Sequence, residues 1–270
     1  MKKFISLSLC SLITFFCSSS LVFAQYIPNI TDAHRYDLHF SHPLNEESIS
    51  PDSHGRLDYS FSNLDNKASE SDINFEFEYA LTPAFSISAS LPYAILNRPG
   101  ISSVSHTDNI ELSLKFANYT FADHHLLLGY GSSIELPTGS DAKNIGSSHM
   151  LGISPYFNIG YMYRKWEWTG FATFDIPTHI HQSLCSCTNE FNLQFATLYH
   201  VSQSLQGIFE AQRISNLNGP DNGQSSWYLT EGVKMSVKNS PILVGVGIRE
   251  PLSSSRDFNS QELVSVFYDL

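Results

Sequence analysis

The sequence predicts an all-β protein, a transmembrane antiparallel up-and-down β-barrel of about twelve strands. Three observations predict it: an export signal at the start, period-two alternation of apolar and polar residues along most of the chain, and connections that are alternately short and long.

Lys2 and Lys3 give a positive start, and residues 4–23 are apolar or small and uncharged. Val22-Phe23-Ala24 then offers small side chains at the −3 and −1 positions, so residues 1–24 read as a cleavable signal peptide with Gln25 as the mature start. Ser and Cys interrupt the apolar run and no basic anchor follows it, which argues against a membrane helix. Cys10 and Cys17 follow Leu9 and Phe16, not the small residue that lipoprotein processing needs. Without Lys2 and Lys3 the mature chain carries 13 basic and 26 acidic residues. That balance argues against nucleic acid as a partner, because phosphate contacts need a basic surface. No mature segment approaches the roughly 20 apolar residues of a spanning helix. A membrane crossing would therefore use strands closed on themselves, which leave no backbone group unpaired in lipid.

The clearest strand lies at 72–81, where Ile73, Phe75, Phe77, Tyr79 and Leu81 share one face and Asp72, Asn74, Glu76 and Glu78 the other. After Thr82-Pro83, Phe85, Ile87, Ala89, Leu91 and Tyr93 oppose Ser86, Ser88 and Ser90. Later runs repeat the pattern: Ile110, Leu112, Leu114 and Phe116; Phe191, Leu193, Phe195 and Tyr199; Ile242, Val244, Val246 and Ile248; and finally Val264, Val266, Tyr268 and Leu270. In all, strands are expected near 54–62, 72–80, 84–93, 109–118, 125–136, 149–161, 165–176, 189–200, 205–214, 226–237, 241–250 and 261–270. Most approach the ~9–11 residues that a tilted strand needs to cross the hydrocarbon.

Connections near 81–83, 119–124, 162–164, 201–204 and 238–240 are short; those near 63–71, 94–108, 137–148, 177–188, 215–225 and 251–260 are longer and rich in Ser, Asn, Asp, Gly and Pro. Strict alternation of this kind predicts short periplasmic turns, longer extracellular loops and both barrel ends in the periplasm of a Gram-negative bacterium. A soluble β-sandwich or lectin-like fold would show no such rhythm over twelve strands. Aromatic residues at strand ends, Tyr79, Tyr93, Tyr119, Tyr161, Tyr163, Trp166, Trp168, Tyr199, Trp227 and Tyr228, are expected to sit at the lipid–water boundaries. Residues 25–53 do not fit a spanning strand. Two readings stay open for them: a periplasmic lead-in, or a segment folded back as a plug in the lumen.

The run Glu78-Tyr79-Ala80-Leu81-Thr82-Pro83-Ala84-Phe85-Ser86-Ile87, followed by Ser90-Leu91-Pro92-Tyr93, resembles a hairpin of the outer-membrane proteins grouped under the MetA-pathway of phenol degradation, a "transporter"-type barrel family. Leu114-Lys115-Phe116 and Leu136-Pro137-Thr138-Gly139-Ser140 resemble it too. The resemblance implies a barrel and passage of small, often hydrophobic compounds. Barrels of this kind usually end in an aromatic residue that the barrel-assembly machinery reads; here Leu270 stands there, with Tyr268 on the same face.

Asp58, Glu76, Glu78, Glu111, Lys115, Glu135, Glu167, Asp175, Glu210, Lys234 and Arg249 fall on the polar faces of their strands and are expected to line the lumen. They would either filter solutes by sign, favouring cations or neutral molecules, or pair with one another in a closed interior. His179, His181, Cys185 and Cys187 place two imidazoles and two thiols within nine residues, the donors of a zinc or copper site, although at tighter spacing than structural zinc sites use. A strained Cys185–Cys187 disulfide or a plain loop are the other readings. His181-Gln182-Ser183 is similar to the H-x-S of outer-membrane phospholipase A, but Leu184, Cys185 and Ser186 follow in place of that family's Asn, Gly and Arg. His124-His125 reads as a solvated turn pair. The sequence thus predicts a non-enzymatic barrel without cofactor that passes or binds small, hydrophobic or aromatic molecules. Its expected partners are outer-membrane lipids, the assembly machinery and small solutes. A structural or adhesion barrel with a closed lumen is the alternative, and a lipid hydrolase a more distant one.

Overall fold

The computed structural model describes residues 38–179, 188–219 and 222–270. The signal peptide expected at 1–24 and the first part of the lead-in lie outside these residues.

Among the described residues thirteen strands follow in order: β1 His54–Asn63, β2 Ser69–Thr82, β3 Phe85–Asn97, β4 Val104–Thr107, β5 Glu111–Asn118, β6 Leu126–Glu135, β7 Met150–Tyr163, β8 Trp166–His179, β9 Glu190–His200, β10 Leu205–Asn216, β11 Ser225–Ser236, β12 Ile242–Pro251 and β13 Ser260–Asp269. Every pairing is antiparallel, and each strand pairs with its neighbour in sequence, with β3 passing over β4 to pair with β5. The ring closes where β1 meets β13, with Leu57 opposite Val266. Twelve strands therefore form a closed barrel, and β4 stands outside the ring on the extension of β3.

Closure follows from the side-chain pattern. Period-two alternation gives every strand one apolar and one polar face. Leu57, Phe75, Phe77, Ile87, Leu91, Leu112, Leu114, Phe157, Leu193, Phe195, Val246 and Val264 are exposed on the outside, while the residues between them point into the barrel. In water such a surface would be an aggregation hazard; in a bilayer it is the lipid-facing belt.

Several strands run longer than the pattern predicts. β2, β3, β7 and β8 continue past the expected bounds, and β4 pairs with β3 inside the connection expected to be a loop at 94–108. Outside the apolar belt the hairpins continue because pairing satisfies the backbone groups of the loop. At the other rim the turns are tight. Arg164 between β7 and β8 and Asn239 between β11 and β12 take positive φ, and Asn118 accepts the Thr120 N–H at 2.9 Å to start the turn at 119–124.

The aromatic belts need two corrections. Trp166 and Tyr199 lie outside with ring centroids 4.5 Å apart, beside Trp168. Tyr228, however, is almost fully buried and donates to Asp257 at 2.7 Å. Adjacent strand residues face opposite ways, so Trp227 on the lipid side sends Tyr228 into the lumen. Tyr119 is buried in its turn rather than lipid-facing.

Candidate functional site

The inner wall is built by strand parity. In β2 the outward Phe75, Phe77 and Tyr79 direct Glu76 and Glu78 inward, and both are buried. Lys115 on β5, Glu167 on β8, Glu210 on β10 and Lys234 on β11 reach the same interior from other sides, again buried. Nearer the long-loop rim, Glu111 and Glu135 stand opposite each other across β5 and β6, and Asp175 stands opposite Glu190. Arg249 bonds Gln212 and Gln261 and lies over the Tyr228 ring at 4.5 Å. Asp58 pairs with Arg56 at 2.7 Å and accepts from Ser265 at 2.5 Å.

Residues 38–53 run through this interior. Phe40, Leu44, Ser48, Ile49 and Ser50 are buried. The Phe40 ring occupies space left by Gly160, where a Cβ would stand 2.8 Å from it. Leu44 sits against Gly245 and Gly247, at 2.6 Å from where their Cβ atoms would be, and joins an apolar cluster with Ala196, Leu198, Ile208 and Leu263.

Wall charges hold the segment by its backbone. Glu167 accepts the Ser41 N–H at 2.8 Å, and Glu210 accepts the Leu44 N–H at 2.5 Å and the Asn45 amide at 2.8 Å. Lys234 donates to the His42 carbonyl at 2.5 Å, and Arg56 donates to the carbonyls of Leu44 and Glu46. These groups contact the segment from β1, β8, β10 and β11. Irregular backbone in a barrel interior needs such partners, since no ladder supplies them.

Where the segment returns to the wall, Asp52 bridges two imidazoles: His42 Nε2 at 2.8 Å and His54 Nδ1 at 2.7 Å. The Ser48 N–H donates to His42 Nδ1. Burial lowers the His42 pKa to about 3, against the opposing pull of Asp52, so the ring is neutral. Burial alone would raise Asp52, but the His42 and then the His54 ring hold it well below the usual carboxylate range. Glu46 is driven well above its ordinary value by burial and then by Glu210.

Among the described residues, two cavities lie between the segment and the long loops. One of about 210 Å³ is bordered by Glu46, Arg56, Asp58, Glu76 and Glu111. A second, of about 350 Å³, is bordered by Asp72, Asp108, Glu111 and Glu135. Both are acidic. Loop 138–148 sits beside them, with Asn109 accepting from the Gly139 and Ser147 N–H groups at 2.9 and 3.0 Å.

Sequence parity did not bring forward Arg56, although it shares a face with Asp58. His42, Asp52, His54 and the inward Phe267, over which Arg56 and Lys234 lie at 4.9 and 5.1 Å, were missed too. Of the cysteine-loop cluster, the backbone of His179 ends β8 opposite Met150. Its side chain and His181, Ser183, Cys185 and Cys187 lie outside the described residues.

Among solved structures, the chain resembles the COG4313 outer membrane channel from Pseudomonas putida F1, with a TM-score of 0.66 and 11% identity over 87% of this chain and 98% of that one. It also resembles the NanC porin (TM-score 0.54, 11% identity, 79% and 98% covered) and the KdgM porin in complex with disordered oligogalacturonate (TM-score 0.52, 10% identity, 80% and 99% covered). No curated protein matches the sequence. These likenesses establish the fold of an outer-membrane barrel. Residues 112–250 match the family described as "Putative MetA-pathway of phenol degradation", and the chain belongs to that family.

Proposed function

We propose that this protein is an outer-membrane channel for small neutral or cationic solutes, narrowed on its short-turn side by residues 38–53 acting as a lumen plug. The observation that carries the reading is the pair of acidic cavities above that segment, bordered by Asp58, Glu76, Glu111 and Glu135. A wall with surplus negative charge lowers the barrier for cations and raises it for anions. Of the residues expected to line the lumen, Asp58, Glu76, Glu111 and Glu135 serve as this filter, and Glu167, Glu210 and Lys234 serve as anchors for the plug. The family description points to aromatic compounds, which a narrow polar lumen admits best when they are small and carry hydroxyl or amino groups. No chemistry is assigned to the wall, and the barrel acts without enzymatic turnover. Export would remove residues 1–24, so the mature protein in outer-membrane fractions would begin at Gln25.

Conductance in planar bilayers tests the proposal. The full-length barrel gives small cation-preferring steps, and deletion of residues 38–50 enlarges them. A barrel silent both with and without the segment would support the closed-lumen reading, which the close anchoring of residues 38–53 also favours.

A further inference from the structure

We propose that His54, Glu76 and Glu78 form a binding site for a divalent metal ion of the zinc–cobalt–manganese class, with Asp52 as the residue that positions His54. The site is independent of whether the barrel conducts. One ligand atom from each of the three residues falls within 4.8 Å of the others. All three residues are buried, and His54 is 1% exposed. They stand together because β1 and β2 pair in register, with His54 directly opposite Glu78.

The state of His54 carries the argument. Its Nδ1 faces Asp52 at 2.7 Å, and its Nε2 is buried without a hydrogen-bond partner, 3.9 Å from Glu76 Oε1. A carboxylate on one ring nitrogen orients the ring, and a metal ion at the other nitrogen would take the place of a proton there. That is the arrangement by which proteins orient a metal-bound histidine. A gap of 3.9 Å is too long for a hydrogen bond, yet it spans an ion held by bonds of about 2.0–2.2 Å on either side. Glu78, whose Oε2 is 4.0 Å from Nδ1 and accepts from Lys115 at 2.7 Å, would turn from Lys115 to complete the set.

Charge points the same way. Glu47, Asp52, Asp58, Glu76 and Glu78 gather around Arg56 and Lys115, whose closest partners are Asp58 at 2.7 Å and Glu78 at 2.7 Å, with Glu47 at 3.3 Å from Lys115. Five carboxylates face two permanent cations. Uncompensated buried charge is expensive, so the group must take up protons or a cation. An imidazole with two carboxylates suits a borderline ion better than calcium or magnesium, which prefer oxygen alone. Binding would join β1 to β2 and, through Asp52, hold the end of residues 38–53 to the wall.

The test uses the folded full-length barrel in detergent, with Co²⁺ as the spectroscopic probe and Zn²⁺ as the competitor. One Co²⁺ per chain is expected, with visible d–d bands, no thiolate charge-transfer band, and displacement by Zn²⁺. Affinity should fall at least tenfold in E76Q and in H54Q, and by about 10–100-fold in D52N, as loss of an orienting partner does elsewhere. C185S/C187S should bind as the parent does. Heat-modifiable migration checks that each variant is folded; if H54Q does not fold, E76Q and D52N decide. No Co²⁺ binding, unchanged affinity in folded E76Q, or binding abolished by the cysteine changes would each overturn the proposal.

Discussion

Glu210 on β10 accepts the backbone N–H of Leu44 at 2.5 Å, so a wall carboxylate takes the place that a neighbouring strand would fill in a sheet. Replacing it by Ala leaves the N–H groups of Leu44 and Asn45 in a buried space without their acceptor, a cost of about 1–3 kcal/mol to docking of the segment. E210A should therefore be cut within residues 38–53 by added protease faster than the parent, while the barrel itself stays intact on gels. Equal protection in both proteins would show that Glu210 is not an anchor.

Leu44 also depends on what its neighbours lack. A Cβ at Gly245 would stand 2.6 Å from Leu44 Cδ2. Gly245→Val should push the segment out of its seat without touching the lipid face. Larger conductance steps with unchanged heat-modifiability are the expected result.

Glu111 and Glu135 border the outer cavities and face each other across β5 and β6. Changing both to Gln keeps shape and removes their capacity to carry negative charge. Under a salt gradient the reversal potential of the double variant should move toward zero, which means weaker cation preference. A shift in the other direction would contradict the proposed filter.

Phe75 lies on the outer face of β2, near the middle of the strand. Phe75→Arg places a charge against lipid and should cost about 2–4 kcal/mol if the position is near the midplane. Reversible denaturant folding into lipid vesicles measures this. The same change at exposed Asn97, outside the belt, should cost little.

His42 gives a pH dependence. Burial holds its pKa at about 3, below the ordinary 6.5, so the docked segment takes the neutral ring and the undocked one takes a proton more readily. The contribution to docking is complete above about 6.5 and falls as pH drops from there toward 3. Protease sensitivity of residues 38–53 should rise over that interval, and His42→Gln should flatten the His42-dependent part of the response.

The ring of strands was legible because lipid on one side and a polar lumen on the other impose the strongest period-two signal that a sheet can carry. Parity alone sufficed to place Glu76 and Phe75 on opposite faces. It failed where an apolar ring points inward: Phe267 falls between the outward Val266 and Tyr268, and its partners Arg56, Lys234 and His42 are distant in sequence. Residues 38–53 were illegible for a different reason. Their backbone is held by single side chains from four strands, a pattern with no period at all. His54 drew no notice because one histidine at a strand start carries no signal until Asp52 and Glu76 are seen beside it.

The seam between β1 and β13 pairs residues more than 190 positions apart, from Asn63 opposite Ser260 to His54 opposite Asp269, and the Leu270 N–H reaches the Ser53 carbonyl at 3.0 Å. Every other junction of the ring joins strands close in sequence, so this one carries the largest loop-closure cost. Until it forms, β1 and β13 are both open edges able to pair with a foreign strand. Pairing along this seam removes the last two free edges of the sheet, and residues 38–53 enter the lumen directly from it.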